Sequence, residues 1–307
     1  MSRLMKLASI GLLLAAMASA CAPVHTPTSA PVPEDAIARI DEHLGSLAEE
    51  GAFSGSALIA QGGKVLLNAG YGMADVENEV PNTPSTRFHI GSVTKQFTAV
   101  AVLILQAQRR LDPEQRVCIH LPSCPPDWEE ITIHQLLTHT SGLPDSWEFY
   151  AGKNRPGVRY DSEEIIGWFE DAPLDFDPGT RFSYSNTGYQ LLGYLIEEVS
   201  GQPYEVFLRE HVLEPLEMTS TGYCQGGAGL AVGYGHDGVV AAFVNPSLAH
   251  SAGGLCSTVE DMHRWGQSFY TEELLPGGMI ETLFTPHVSV PSFPFAPPYD
   301  ETSYGYG

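Results

Sequence analysis

A serine and a lysine three positions apart are the residues of this sequence best suited to nucleophilic chemistry. They lie in the segment FHIGSVTKQF, as Ser92 and Lys95. On a helix, residues at this spacing share one face, so the hydroxyl and the amine can meet. Ser92 would stand at the helix N-terminus, where free backbone N–H groups favour a developing anion.

The predicted surroundings of Lys95 favour its use as a base. The residues at 93–105 are apolar nearly all round the helix, which is typical of a buried helix. Burial disfavours the ammonium form and lowers the pKa of a lysine. We therefore expect Lys95, as a neutral amine, to take the proton of Ser92. The buried helix is essential to this prediction, because S-x-x-K alone often occurs by chance.

A second segment, PGTRFSYSN at 178–186, contains a phenol and an amide. A tyrosine close to a cationic lysine can share or relay its proton, which gives Tyr184 a candidate role. A simpler interpretation is that Asn186 caps a helix over 187–200 and that Tyr184 packs in the core. Taken alone, this segment favours the simpler interpretation.

Together the two segments resemble the β-lactamase and penicillin-recognising serine hydrolases, which combine S-x-x-K with a later tripeptide. The tripeptide Tyr-Ser-Asn at 184–186 is similar to the Tyr-x-Asn form of the class C β-lactamases and their esterase and D-peptidase relatives. LLTHTSGL at 136–143 and SAGGLCST at 251–258 resemble two further segments of that branch. The resemblance extends over residues 35–307.

The resemblance implies a role for each residue of the two motifs. Ser92 attacks a carbonyl and forms an acyl-enzyme, and its N–H supplies one donor to the oxyanion. Lys95 and Tyr184 together handle the proton, and Asn186 contacts the substrate amide. His139 would be structural. A Ser–His–Asp triad that uses His139 is the second mechanism considered, but no G-x-S-x-G segment surrounds a serine.

The implied activity is hydrolysis of an ester, β-lactam or D-amino-acid peptide bond in a small-molecule or peptidoglycan-like substrate, without a cofactor. The alternative is a non-catalytic penicillin- or peptide-binding sensor module that keeps the fold.

The family also carries a K/H-x-G tripeptide beyond a YG-x-G segment. Here YGYG at 304–307 is similar to that segment, and we find no K/H-x-G. We therefore expect weak activity or none from these residues, and a domain that lacks its C-terminal strands.

The elements that must position these residues predict an α+β fold. Apolar residues recur at helical spacing over 37–47, and two strands over 53–60 and 64–68 flank a Gly-Gly turn. The stretch 111–215 is mainly helical in its patterns. We expect a β-lactamase/transpeptidase-like domain, with an antiparallel sheet flanked by helices and a mainly helical lobe.

The N-terminal residues have the composition of an export signal. A short basic head precedes an uncharged run of fourteen residues at 7–20, which is too short for a membrane span of ~20 residues. We expect a signal peptide at 1–20, a Pro/Ala/Thr-rich tether at 21–34 and the hydrolase domain at 35–307. Cys21 follows Ala-Ser-Ala, a pattern of lipoprotein cleavage and acylation, although ordinary signal peptidase would also accept it. The protein would then be lipid-anchored on the periplasmic side or the cell surface, with no other membrane attachment.

Cysteine usage agrees with export, and the net charge argues against one class of partner. Cys118 and Cys124 flank a short Pro-containing loop, and we expect a disulfide between them. No C-x-x-C pair is present, so the sequence predicts no metal site. Cys224 and Cys256 could pair or stay as free thiols. The net charge of −22 repels phosphate backbones and argues against nucleic-acid binding.

Overall fold

A computed structural model describes residues 30–145, 147–224, 226–227, 229–235, 237–290 and 302–307. The predicted signal peptide, Cys21 and most of the predicted tether lie outside these residues. Within the part that the structure describes, we find no helix that is both long and apolar enough to cross a bilayer.

The folded chain begins with a helix and a β-hairpin. Helix α1 spans Glu34–Glu49, and strands β1 (Gly55–Gln61) and β2 (Lys64–Tyr71) pair antiparallel. The turn between the strands uses Gly62 and Gly63 at φ 57° and 77°, a left-handed conformation that glycine adopts without steric cost. The predicted hairpin is confirmed, and its second strand is longer than predicted.

In the described part of the chain, the remaining strands are short and lie in three further antiparallel sheets. Two of these sheets have two strands each, and the third has the strand order β5-β7-β6. The third sheet matters most for the site, because β5 leads directly into the Ser92 segment. The strands are β3 (Met73–Asp75), β4 (Val80–Pro81), β5 (Phe88–His89), β6 (Gly222–Tyr223), β7 (Leu255–Ser257), β8 (Val288–Val290) and β9 (Thr302–Tyr304); β3 pairs with β4, and β8 with β9.

Helices pack around one buried helix, α2, which spans Thr94–Ala107. Five others, α5, α6, α7, α8 and α9, contact it directly. Helices α3 to α6 form the lobe that the sequence predicts to be mainly helical. The other helices are α3 (Ile133–Leu137), α4 (Ser162–Ile166), α5 (Asn186–Ser200), α6 (Tyr204–Leu208), α7 (Pro246–Gly253), α8 (Val259–Ser268) and α9 (Gly277–Phe284).

The interior of α2 is apolar on all sides, as predicted. Seven of its apolar side chains have no exposed surface, and Phe97 stacks on Trp265 of α8 with ring centroids 4.0 Å apart. Burying one such large side chain contributes roughly 1.5–3 kcal/mol. This packing fixes α2 firmly enough to hold Lys95, which is itself only 1% exposed. The seven residues are Phe97, Ala99, Val100, Ala101, Val102, Leu103 and Leu105.

The start of α5 corrects one sequence prediction. The N-cap residue is Ser185, whose Oγ accepts a hydrogen bond of 3.1 Å from the Gly188 N–H. Asn186 is therefore the first helical residue and not the cap, so its side chain is available for the site. The helix ends at Ser200, the end predicted from the sequence, and Gly201 follows it in a left-handed conformation.

Four cysteines form two disulfides in the structure. Cys118 bonds to Cys124, and Cys224 bonds to Cys256, with Cα–Cα distances of 5.3 and 5.2 Å. Both distances are normal for a disulfide. The second bridge ties the chain that follows β6 to β7, within the sheet that leads to Ser92.

We predict that the two disulfides stabilise the protein unequally. The chain separations are 6 residues for Cys118–Cys124 and 32 for Cys224–Cys256. By loop-closure entropy, replacing both cysteines of a pair with alanine should cost ~2 kcal/mol for the short loop and ~4 kcal/mol for the long one. Urea unfolding of the two double variants measures this, after peptide mapping without reductant has verified both bridges. Equal losses, or free thiols in the map, would contradict the prediction.

Candidate active site

Ser92 stands at the junction between β5 and α2. The Ile90 N–H donates to the Leu255 carbonyl of β7 at 3.1 Å, which fixes the end of β5 against the sheet. A short 3₁₀ turn, Gly91–Val93, follows and leaves Ser92 exposed immediately before α2. Lys95 lies in the first turn of α2, with its Nζ 3.3 Å from the Ser92 Oγ. The two residues of the S-x-x-K motif therefore meet.

Three oxygen atoms surround the amine of Lys95. Its Nζ donates to the Asn186 Oδ1 and to the Ala252 carbonyl, each at 2.8 Å, and the Ser92 Oγ is the third neighbour. An ammonium can donate to all three. A neutral amine keeps two N–H groups for the two shorter bonds, and its lone pair then points to Ser92. The arrangement directs a base at the nucleophile.

The protonation of Lys95 follows from its burial. Desolvation lowers its pKa from the ordinary value of 10.5 to about 7, and the negative charge of Asp145 acts in the opposite direction. The neutral form of Lys95 is therefore accessible near pH 7. A general base is most effective when its pKa lies near the working pH.

Tyr184 approaches the same serine as a donor. Its hydroxyl donates to the Ser92 Oγ at 2.8 Å. Burial raises the pKa of Tyr184 above its ordinary value, although the hydrogen bond to Ser92 works against that rise. The phenol therefore stays protonated at neutral pH. Of the two proton partners predicted from the sequence, Lys95 is suited to be the base and Tyr184 to be the proton donor.

Asp145 fixes the orientation of Asn186. Its Oδ1 accepts from the Asn186 backbone N–H at 3.1 Å, and its Oδ2 accepts from the Asn186 Nδ2 at 3.0 Å. The amide therefore turns its Oδ1 to Lys95. Sequence reasoning missed Asp145, and the available signal was an acidic residue directly after the HTSGLP segment.

His139 supports Tyr184 instead of activating Ser92. Its Nδ1 accepts from the Ser185 N–H, and its Nε2 contacts the Tyr304 hydroxyl, both at 3.1 Å. Its ring stacks on Tyr184 with centroids 4.4 Å apart. Burial, with a smaller effect of Lys95, lowers the pKa of His139 to about 3. Both ring nitrogens are used away from Ser92, so the geometry gives no support to the Ser–His–Asp alternative.

The residues at 302–307 pack against this site, a role that the sequence analysis did not predict for them. Besides the contact of Tyr304, the hydroxyl of Tyr306 bonds to the His134 Nδ1 at 2.6 Å. Gly307, at φ 96°, lies so close to the α2 backbone that a Cβ there would be 2.8 Å from the Gln96 Cα. This close approach requires glycine and places the segment beside the first turn of α2.

One group of potential metal ligands lies next to the site, on the β5-β7-β6 sheet. The ligand atoms of His89, Cys224 and Cys256 are within 4.8 Å of one another. The two cysteines form a disulfide, however, and metal binding by cysteine needs thiolates. In this oxidised form the group offers His89 alone.

We predict that replacing Asp145 with asparagine moves the pH dependence of Ser92 acylation. The acid limb of the wild-type profile should lie near pH 7, because Lys95 must be neutral to act. The Asp145 carboxylate raises the Lys95 pKa, so its removal lowers that pKa and shifts the acid limb to lower pH. Rates of labelling by a fluorophosphonate probe between pH 5 and 9 measure the limb. Asp127→Asn, at an exposed position, is the charge-matched control; an unchanged or raised limb in Asp145→Asn would refute the assignment.

Comparisons with known proteins show which proteins this chain resembles. The family model described as Beta-lactamase matches residues 37–307. PbpX of Bacillus subtilis (strain 168) is 30% identical over 261 residues, which are 82% of this chain and 64% of PbpX. Protein flp of Staphylococcus aureus (strain MW2) is 39% identical over 175 residues, 55% of this chain and 34% of flp. The chain thus spans between a third and two thirds of these curated relatives.

A solved structure shows similarity over more of the chain. The crystal structure of a penicillin binding protein from Bacillus halodurans superposes with a TM-score of 0.73 at 32% identity. The superposition covers 86% of this chain and 81% of that protein. Its extent agrees with the α+β fold predicted from the sequence, in which short antiparallel sheets are combined with a mainly helical lobe.

Proposed function

The chain belongs to the beta-lactamase family of serine hydrolases, and we propose that it hydrolyses an ester, β-lactam or D-amino-acid peptide bond through an acyl-enzyme on Ser92. The observation that carries this proposal is the placement of the Lys95 amine. The Asn186 Oδ1 and the Ala252 carbonyl oxygen each bond to it at 2.8 Å, and the Ser92 Oγ is its third neighbour. The simplest explanation for a lysine buried beside a nucleophile in this way is that it acts as the base.

Acylation begins with proton transfer from Ser92 to neutral Lys95. The Ser92 Oγ attacks the carbonyl carbon of the substrate, and the π electrons of the carbonyl move to its oxygen. This oxyanion forms beside the N-terminus of α2, where the helix dipole and backbone N–H groups stabilise negative charge. The tetrahedral intermediate then collapses and expels the amine or alcohol.

The leaving group needs a proton, and Tyr184 is placed to give it. Its hydroxyl contacts the Ser92 Oγ, which is bonded to the carbonyl carbon from which the leaving group departs. The Lys95 ammonium then passes the proton taken from Ser92 to Tyr184, so the pair transfers one proton from Ser92 to the leaving group. Deacylation uses water as the nucleophile. Water gives a proton to the Lys95–Tyr184 pair and attacks the carbonyl carbon of the acyl-enzyme ester. The acid is then released, and the pair returns the proton to the Ser92 Oγ.

The main alternative is a sensor that is acylated and does not release the acyl group. Such a module needs the same nucleophile and base for acylation but fails at the attack of water. The similar protein from Bacillus halodurans is a penicillin binding protein, so a β-lactam belongs among the first substrates to test. Release of the acyl group separates the two functions.

We predict that Ser92 is acylated and that the acyl group is then released by hydrolysis. Intact mass spectrometry should show an adduct with a fluorophosphonate and a transient adduct with a penicillin. Turnover of nitrophenyl acetate, a chromogenic cephalosporin or a D-alanyl peptide should be detectable, at the low rate expected from residues without a K/H-x-G tripeptide. Ser92→Ala should lose both adduct and turnover, whereas Ser123→Ala, at an exposed loop position, should keep them. A permanent adduct without turnover of any substrate would favour the sensor, and an adduct in Ser92→Ala would exclude this nucleophile.

We also predict that Lys95 and Tyr184 act as one proton-transfer unit. A positioned acid–base group contributes ~10²–10⁴ in rate, so Lys95→Ala and Tyr184→Phe should each slow acylation by a factor in that range. The double variant should lose much less than the product of the single losses, because residues that act as a unit are non-additive. Tyr270→Phe, at an exposed position, is the control. Multiplicative losses would instead mean independent roles.

A further inference from the structure

Helix α7 changes direction at His250, in a conformation that side-chain-bearing residues rarely adopt. The backbone angles there are φ 36° and ψ −129°, and both neighbouring parts of α7 are helical. A non-glycine residue holds such angles only where the surrounding structure enforces them. The reversal therefore needs a cause in the contacts of His250.

The cause is a set of contacts on every side of the His250 ring. The Tyr223 hydroxyl bonds to its Nδ1, the Ser162 Oγ lies 3.0 Å from its Nε2, and the ring packs on Tyr204 with centroids 5.0 Å apart. Burial lowers the pKa of His250 to about 3, and Arg159 adds to this effect. The imidazole is therefore neutral at physiological pH. We call His250, Tyr223 and Ser162 the His250 clamp.

The reversal determines where the next two carbonyl groups point. The Ser251 carbonyl accepts from the Thr98 hydroxyl at 2.7 Å, and the Ala252 carbonyl accepts from the Lys95 Nζ at 2.8 Å. In an uninterrupted helix these carbonyls would point along the axis, each toward an N–H four residues later. The change of direction at His250 turns them to α2 instead.

We propose that His250 is a positioning residue: the His250 clamp maintains the reversal of α7 that presents the Ala252 carbonyl to Lys95. This inference rests on the proposed function, because it concerns the base of the same site. The Ala252 carbonyl is one of the two acceptors that hold the Lys95 amine, so its loss should move the amine and change its protonation. Sequence analysis assigned no role to His250.

A cavity of 840 Å³ gives access to the clamp. All three clamp residues line it, and none of Ser92, Lys95 and Tyr184 does. A small molecule can therefore reach the position of the His250 ring without entering the active site. This separation permits chemical complementation of a variant that lacks the imidazole.

The test is His250→Gly, because glycine tolerates the backbone angles of the reversal while removing the clamp. Acylation by a fluorophosphonate probe should fall about tenfold, as expected for a misplaced catalytic group. The acid limb should move to lower pH, because the Lys95 ammonium loses an acceptor that favours it. The other titratable and charged groups that face Lys95 are unchanged in the variant. They are Asp145 and the aromatic residues His139, Tyr184 and Tyr189.

Added imidazole should restore most of the lost rate in His250→Gly, since it can bond to both Tyr223 and Ser162. It should leave the wild type and the control His43→Ala, altered at an exposed site on α1, unchanged. A purely structural role would lower stability without moving the acid limb. Tyr223→Phe removes one clamp bond at little steric change and serves if the glycine variant does not fold.

A second readout separates this proposal from the proposed function. NMR titration of the Lys95 side chain follows its pKa whether or not the protein is acylated. The pKa should fall in His250→Gly, or in Tyr223→Phe. An unchanged Lys95 pKa together with an unchanged acylation rate would overturn the proposal, whereas a lowered pKa in a protein that no probe acylates would support it and contradict the hydrolase function.

Discussion

The burial of one amine is the constraint on which the site depends. Lys95 is almost completely buried in α2, and a buried ammonium is costly unless other groups compensate it. The structure compensates it only in part, with two carbonyl oxygens and the charge of Asp145. Partial compensation leaves the pKa near neutrality. Full compensation would give a permanently charged lysine, which could not take a proton from Ser92.

The groups that compensate Lys95 come from elements far apart in the chain. Asn186 begins α5, the Ala252 carbonyl belongs to α7, and Asp145 lies in the loop between α3 and α4. Their positions are correct only because α5 and α7 pack on α2. The apolar packing that stabilises the fold therefore also sets the pKa of Lys95. A shift of α5 or α7 would change that pKa and the position of the amine relative to Ser92.

The sequence predicts the parts of this arrangement that depend on local pattern. Apolar periodicity identifies α2, the Gly-Gly turn identifies the first hairpin, and the spacing of Ser92 and Lys95 places both on one helix face. It does not predict features that depend on backbone direction or on distant packing. Lys95 uses the backbone carbonyl of Ala252, which the identity of the side chain does not reveal. The sequence also offers both Ser185 and Asn186 as caps, and only the backbone of α5 shows that Ser185 is the cap. Asp145 becomes a candidate only once its loop is seen to reach Asn186.

Burial acts on three neighbouring groups in this site, and its effect on each differs with the charge of the protonated form. It lowers the pKa of Lys95 and His139, which are cationic when protonated, and raises that of Tyr184, which is neutral when protonated. One desolvated environment thus produces a neutral amine, a neutral imidazole and a neutral phenol. The amine can accept a proton and the phenol can donate one. Both nitrogens of the imidazole contact other groups, so His139 only supports the position of Tyr184. The division of acid and base between Tyr184 and Lys95 follows from their chemical types in a common environment, and the charge of Asp145 raises the pKa of both groups within it.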